Sequence, residues 1–277
     1  MKKNAITYEE YAKAHPATQK KHNDPMFSDS DANKKQPEKT QPQKSTKTPA
    51  VKKTSPKHTV SGNPEIDHKV STYLDQMKQM VDKAIASGGK TPNFDLCQIS
   101  VPGTNLFCRG NKGIERKDMP QLKGIAAKGT KAENLPVGQD GEVSIEKSFV
   151  ESLKQKGVKL TNKQVEASRL KSTQNQLVGS KVVGMIDALK KNPQDPNIAA
   201  PIFVSKDGYV LDGHHRWAAM VGLNFSSEKP VHMNIVEVDM GIDDLVEYTN
   251  NFADEMGIRQ KAAKLRIIAQ MIRAIQS

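Results

Sequence analysis

The chain has 277 residues, of which 36% are apolar, 5% aromatic and 26% charged, and its mean hydropathy is −0.64. Ordinary globular proteins hold about 45–50% apolar residues when glycine is included, so part of this chain is expected to build no core. The formal charge is +11, and residues 1–62 hold 13 lysines and no arginine against 6 acids, which puts most of the excess outside the expected folded body. No run nears the roughly 18 apolar residues of a membrane span, and no apolar leader follows Met1-Lys2-Lys3-Asn4. Cys97 and Cys108 are too few for a disulfide framework and form no metal ladder. These features predict a protein of a reducing, cytoplasmic compartment.

In chain order, residues 1–20 carry Ile6, Tyr8, Tyr11 and Ala12 at the spacing of a short docking helix. Residues 24–62 are Lys, Pro, Ser, Thr and Gln with few apolar side chains, too few to offset the entropy of ordering, so residues 1–62 are expected to form a disordered tail. Residues 44–57 hold five lysines and no acid. They read as a solvated linker or as a tether that meets DNA by counterion release. Asn63 as N-cap, Pro64 at the first helical position and Glu65 in the first turn open an amphipathic helix expected to end by residue 89. Ile66, Val70, Leu74, Met77 and Val81 form its apolar stripe, which needs either the body or a second copy as partner.

Residues 90–142 read as an irregular connector with two short strands, over 96–101 and 105–108. From 143 to 257 the punctuation predicts a small mixed α/β domain. Residues 144–156 read as a helix stopped by Gly157, and Thr161-Asn162-Lys163-Gln164 has the form of a capping box. Residues 181–191 give a helix ended by Asn192-Pro193. Residues 201–211 give a hairpin across Ser205-Lys206-Asp207-Gly208, residues 214–221 a helix, 231–238 a strand and 242–256 a helix. Residues 258–277 close the chain as a basic amphipathic helix, either packed on the body or free for a membrane surface or partner.

The chemistry concentrates in Asp212-Gly213-His214-His215-Arg216-Trp217. A strand delivers the chain to Asp212, Gly213 permits a sharp turn, and the next residues form a first helical turn whose free N–H groups attract an anion. Arg216 adds bidentate phosphate recognition. Asp212 reads as a carboxylate that offsets the cations, holds Mg2+ or orients an imidazole. His214 and His215 read as general acid or base, because imidazole titrates near neutral pH. They point about 100° apart on a helix, so one is expected to face the site while the other packs.

The strand–turn–strand–GHHR–helix segment resembles the ParB/sulfiredoxin superfamily, whose members set Gly-x-x-Arg at a helix start to bind nucleotide phosphates. The Asp-Gly-His-His-Arg form is similar to that of ParB-like proteins of phages and plasmids and of ParB-like serine kinases. Leu170-Lys171-Ser172-Thr173-Gln174 resembles the L-x-P-T-Q segment of that superfamily, with Ser172 in place of proline. Asn111-Lys112-Gly113-Ile114 and residues 116–121 (RKDMPQ) look like a segment that accompanies the domain in phage-type proteins. The likeness spans about residues 158–240, under a third of the chain.

The resemblance implies an α+β fold with a small mixed sheet. It also implies a nucleotide (ATP, ADP or CTP) with Mg2+, held by Gly213, His214, His215, Arg216, Thr173, Gln174 and Lys181, with Asp212 on the metal. Asp212, His214 and His215 are then the catalytic candidates, and Asp207 is a second candidate carboxylate base. The departures narrow this. His214 stands where sulfiredoxin carries its cysteine, and residues 241–277 are too short for the helix-turn-helix of partition proteins. Three functions follow: a nucleotide or nucleic-acid phosphate-binding module, a phosphotransferase or phosphodiester hydrolase, and a non-catalytic phage virion or accessory protein. If the lysine tail is a tether, duplex DNA binding weakens steeply with salt in the full chain, and deletion of the tail flattens that slope. Equal DNA affinity of the full and shortened chains across a salt titration would discard the tether.

Overall fold

The computed structural model describes residues 58–92, 94–98, 107–108 and 110–259. The expected docking helix near the N-terminus, the lysine tail through residue 57 and the basic helix beyond residue 259 lie outside the described residues. The described chain is a mixed α and β structure with five α-helices and two small three-stranded sheets. Within it, no helix is long and apolar enough to cross a membrane.

Helix α1 (Pro64–Ala86) starts as its sequence dictates: Asn63 Oδ1 accepts the Glu65 N–H at 2.9 Å, and Pro64 follows. Val70, Leu74, Met77 and Val81 bury the predicted stripe. Order reaches further upstream than expected. Buried Asp67 accepts the N–H groups of Val60 (2.7 Å) and Ser61 (3.0 Å), and His58 Nε2 donates to Asn224 Oδ1 at 3.1 Å. Residues 58–62 therefore pack on the body, where sequence reading had continued the tail, and a tail deletion should stop at residue 57.

Strands β1 (Lys123–Ala126) and β2 (Val143–Ser144) pair antiparallel, and β1 also pairs antiparallel with β6 (Ile258–Arg259) near the end of the described chain. The 90–142 region is thus more than a connector. Its strand lies at 123–126, while Leu96–Gln98 is a 3-10 turn in place of the expected strand, and Phe107 and Cys108 lie in a turn. Cys97 and Cys108 form a disulfide, with their Cα atoms 5.1 Å apart.

Helix α2 (Glu146–Gln155) is followed by β3 (Leu160–Glu166). The capping box read at residues 161–164 is instead strand. Seven consecutive residues of β3 find antiparallel partners in β5 (His232–Val238), so the ladder takes the backbone groups that a cap would have served. Helix α3 (Gly179–Lys191) leads to β4 (Ile202–Ser205), which pairs parallel with β5 in the order β3-β5-β4. The predicted hairpin forms. Ser205 N–H donates to Tyr209 O (2.9 Å), Leu211 N–H to Phe203 O (2.9 Å), and Gly208 takes the positive φ of the turn. Helices α4 (His214–Asn224) and α5 (Ile242–Met256) complete the body. Asp207, the alternative carboxylate base, caps α5 by accepting the Ile242 N–H at 3.2 Å.

The central sheet divides two cores by the period-two rule of a strand. Ile202, Val204, Met233 and Ile235 face α1, α3 and α4, whereas Phe203, Val236 and Val238 face α2 and α5. Trp217 is buried in the first core, and its indole N–H donates to Ala167 O at 2.9 Å. Phe149 centres the second, edge-on to Phe203 at 5.6 Å and 5.7 Å from Phe252. Replacing Phe149 by Ala removes this centre and is expected to cost about 3–5 kcal/mol in denaturant unfolding. A loss under about 1 kcal/mol would mean that the α2/α5 face contributes little.

A candidate anion site between two helix starts

The hairpin carries the chain from β4 to Gly213, where φ is +85°. A Cβ there would lie 2.4 Å from Ile202 Cγ2 and 3.0 Å from Arg216 Nη2, so only glycine lets the helix start so close to the strand. Trp217 N–H donates to Gly213 O at 2.9 Å, which leaves the N–H groups of His214, His215 and Arg216 at the open end of α4. Helix α3 starts nearby. These two helix starts line a cleft of about 770 Å³, α3 with Ser180 and Lys181 and α4 with residues 213–216. That size suits a small-molecule ligand.

Four cations border the cleft: Arg116, Lys123, Lys181 and Arg216. Lys123 is paired with Asp140. Arg216 is 20% exposed, donates from Nη1 to Ala200 O at 3.3 Å, and lies 3.6 Å from Asp212 Oδ2 through Nη2. Its guanidinium is thereby fixed across the mouth of α4 with N–H groups to spare. Asp212 lines the cleft and is 41% exposed. Among the described residues no three His, Cys, Asp or Glu side chains gather as a metal group.

Both histidines accept backbone hydrogen bonds from one segment. His214 is buried, and its Nε2 accepts the N–H groups of Thr173 (3.2 Å) and Gln174 (3.3 Å). His215 Nε2 accepts the Val178 N–H at 3.2 Å. Accepting at Nε2 puts each ring's proton on Nδ1. Burial first, then the charge of Arg116, pushes the pKa of His214 down to about 3. Burial, Arg116, Lys181 and His214 push that of His215 down to about 4 against the opposing pull of Asp212. Both rings are neutral at pH 7, with Nε2 engaged, and neither fits the general acid or base expected from the sequence. Both also turn toward one segment, residues 173–178, although the helical wheel had sent one of them away.

Thr173 is fully buried, and its hydroxyl donates to Val210 O at 2.6 Å, so it shapes the wall from behind and lines no part of the cleft. Gln174 does line it, with its side-chain amide donating to Gln176 O. Ser172, in place of proline, closes the turn by donating to Gln174 O at 2.7 Å. Gly213, His214, His215, Arg216, Gln174, Lys181 and Asp212 are thus brought together as expected. Sequence reading missed Arg116, Gln121, Lys123, Asp195 and Asn197. The signal for the first two lay in the RKDMPQ run, which reaches the cleft because Ile114 N–H donates to Thr173 O (3.1 Å) and Asn175 N–H to Ile114 O (3.0 Å). Compared with protein-family models, curated proteins and solved structures, the chain finds no match.

The imidazole values set a pH dependence. Both lie below the ~6.5 of an unfolded histidine, so between these values the unfolded chain binds protons that the folded chain refuses. Their contribution is complete above about pH 6.5 and is lost as pH falls toward 4 for His215 and 3 for His214, at up to about 1.4 kcal/mol per unit for each ring. Urea unfolding at a series of pH values from 7 to 5 should show this fall. The double variant His214→Gln/His215→Gln should flatten it, and an unchanged slope would refute the neutral lock.

Proposed function

We propose that this protein is a phosphate-binding module of ParB/sulfiredoxin-like architecture, which takes the phosphates of a nucleotide such as ATP, ADP or CTP, or those of a nucleic-acid backbone. One observation carries the reading: the starts of α3 and α4 open into the same cleft, among Arg116, Lys181 and Arg216. Helix N-termini and guanidinium groups both favour oxyanions. Burial does most to depress the imidazoles; after it, Arg116 disfavours a further positive charge on both, and Lys181 on His215. Support for the architecture comes from Gly213 and Arg216 at the start of α4 and from residues 170–174 held against that start by His214.

Binding is favoured over turnover because both imidazoles are neutral and occupied. The carboxylates left in the cleft are Asp212 and Asp195. Asp212 beside incoming phosphates is a fitting partner for Mg2+, which commonly binds through one or two carboxylates plus substrate phosphates. The lysine tail would add nonspecific attraction to DNA outside the cleft.

Calorimetric titration with ATP, ADP, CTP and inorganic phosphate tests the proposal. Saturable binding is expected, weakened about 10- to 100-fold in Arg216→Ala, the loss of one or two charge-assisted hydrogen bonds. Absence of binding by all four ligands, or full affinity in Arg216→Ala, would overturn it. Phosphate release that disappears in Asp212→Ala would replace it with the enzymatic reading.

A further inference from the structure

We propose that the Cys97–Cys108 disulfide is a redox-responsive clasp on the wall of the cleft. The two cysteines sit on segments that grip the same stretch, residues 172–179, from its two ends. On the Cys97 side, Asp95 Oδ1 accepts both the Cys97 N–H and the Leu177 N–H, each at 2.9 Å. Leu96 N–H donates to Leu177 O (3.0 Å), and Gly179 N–H donates to Phe94 O (2.7 Å). On the Cys108 side, Asn111 N–H donates to Cys108 O (3.1 Å), Lys112 N–H to Ser172 O (3.3 Å), and Ile114 N–H to Thr173 O (3.1 Å). The disulfide joins these two arms across a sequence separation of 11.

The gripped stretch is the one that His214 and His215 accept from, through Thr173, Gln174 and Val178, and it runs into the first turn of α3. The bond therefore lies two hydrogen-bonded steps from the imidazoles of α4. Both cysteines are half-buried, within reach of a small thiol. Each has a fully inserted neighbour, Leu96 or Phe107, in the first core. The reaction is thiol–disulfide exchange. A dithiol attacks the Cys97–Cys108 bond, gives up two electrons and two protons, and leaves as its own disulfide, while both cysteines become thiols. The arms then move independently, and the wall between the two helix starts loosens.

The test compares the full chain oxidised and after reduction with a dithiol, and compares both with Cys97→Ser/Cys108→Ser. Amide hydrogen exchange at Thr173, Gln174, Leu177, Val178 and Gly179 should speed up about tenfold or more on reduction, while the β5 amides keep their rates. The serine variant should match the reduced protein. Rates within about twofold in the two redox states, or an intact mass that retains both thiol hydrogens after oxidation, would overturn the clasp. The second readout, affinity for ATP, rests on the anion site proposed above and should fall several-fold on reduction. Failure of ATP to bind either form would count against that site alone, because exchange still decides the clasp.

Discussion

Two ring nitrogens hold the corner at the start of α4 together. Nε2 of His214 and Nε2 of His215 accept three backbone N–H groups that would otherwise be shut away without partners, at about 1–3 kcal/mol each. A carboxylate could accept the same three donors, but it would bring a negative charge among Arg116, Lys181 and Arg216 and cancel part of their field. An amide is neutral but has a different shape and reach. Imidazole accepts in the ring plane, fills the space with an apolar body and stays uncharged where burial, and after it Arg116, make protonation costly. The histidines are thus best understood as neutral struts in a positive field.

That field is assembled by the fold. Alternating side chains of β4 and β5 anchor α3 and α4 on one face of the sheet and leave the helix starts at a common edge. Cations beside a helix start oppose its dipole, at about 0.3–1 kcal/mol apiece. Arg216 relieves part of this through Asp212 and Ala200 O. An oxyanion between the helices would relieve more, because it would meet these cations and the open amides of α4 with the favourable sign. The cost of gathering these groups and the gain that an oxyanion would bring come from one electrostatic source.

Much of this was legible in the sequence where local and tertiary preferences agree. Asn63-Pro64 begins α1, and Asn192-Pro193 ends α3 at Lys191. The Ser205–Gly208 turn folds the hairpin, and the Asp-Gly-His-His-Arg run gathers at a helix start. The failures share a cause, since each was decided by residues distant in the chain. Thr161 to Gln164 carries a helix-start pattern, but β5 supplies a ladder that no local window contains. Lys123–Ala126 becomes a strand because Val143 and Ile258, far along the chain, border it. The histidines read as catalytic because an isolated imidazole titrates near pH 7, and only burial and Arg116 show that these do not. Two cysteines 11 residues apart give no sign of pairing until the arms that carry them are seen side by side.

The bond between His58 and Asn224 fixes where the lysine-rich stretch joins the body. Asn224 is the last residue of α4, and the cleft lies at the first, so the two ends are about 15 Å apart at 1.5 Å per residue. At residue 58 the chain thus joins the body at the far pole of the helix whose near pole forms the cleft. Among the described residues, none that lines the cleft precedes Arg116, so a change confined to this pole leaves the lining itself in place.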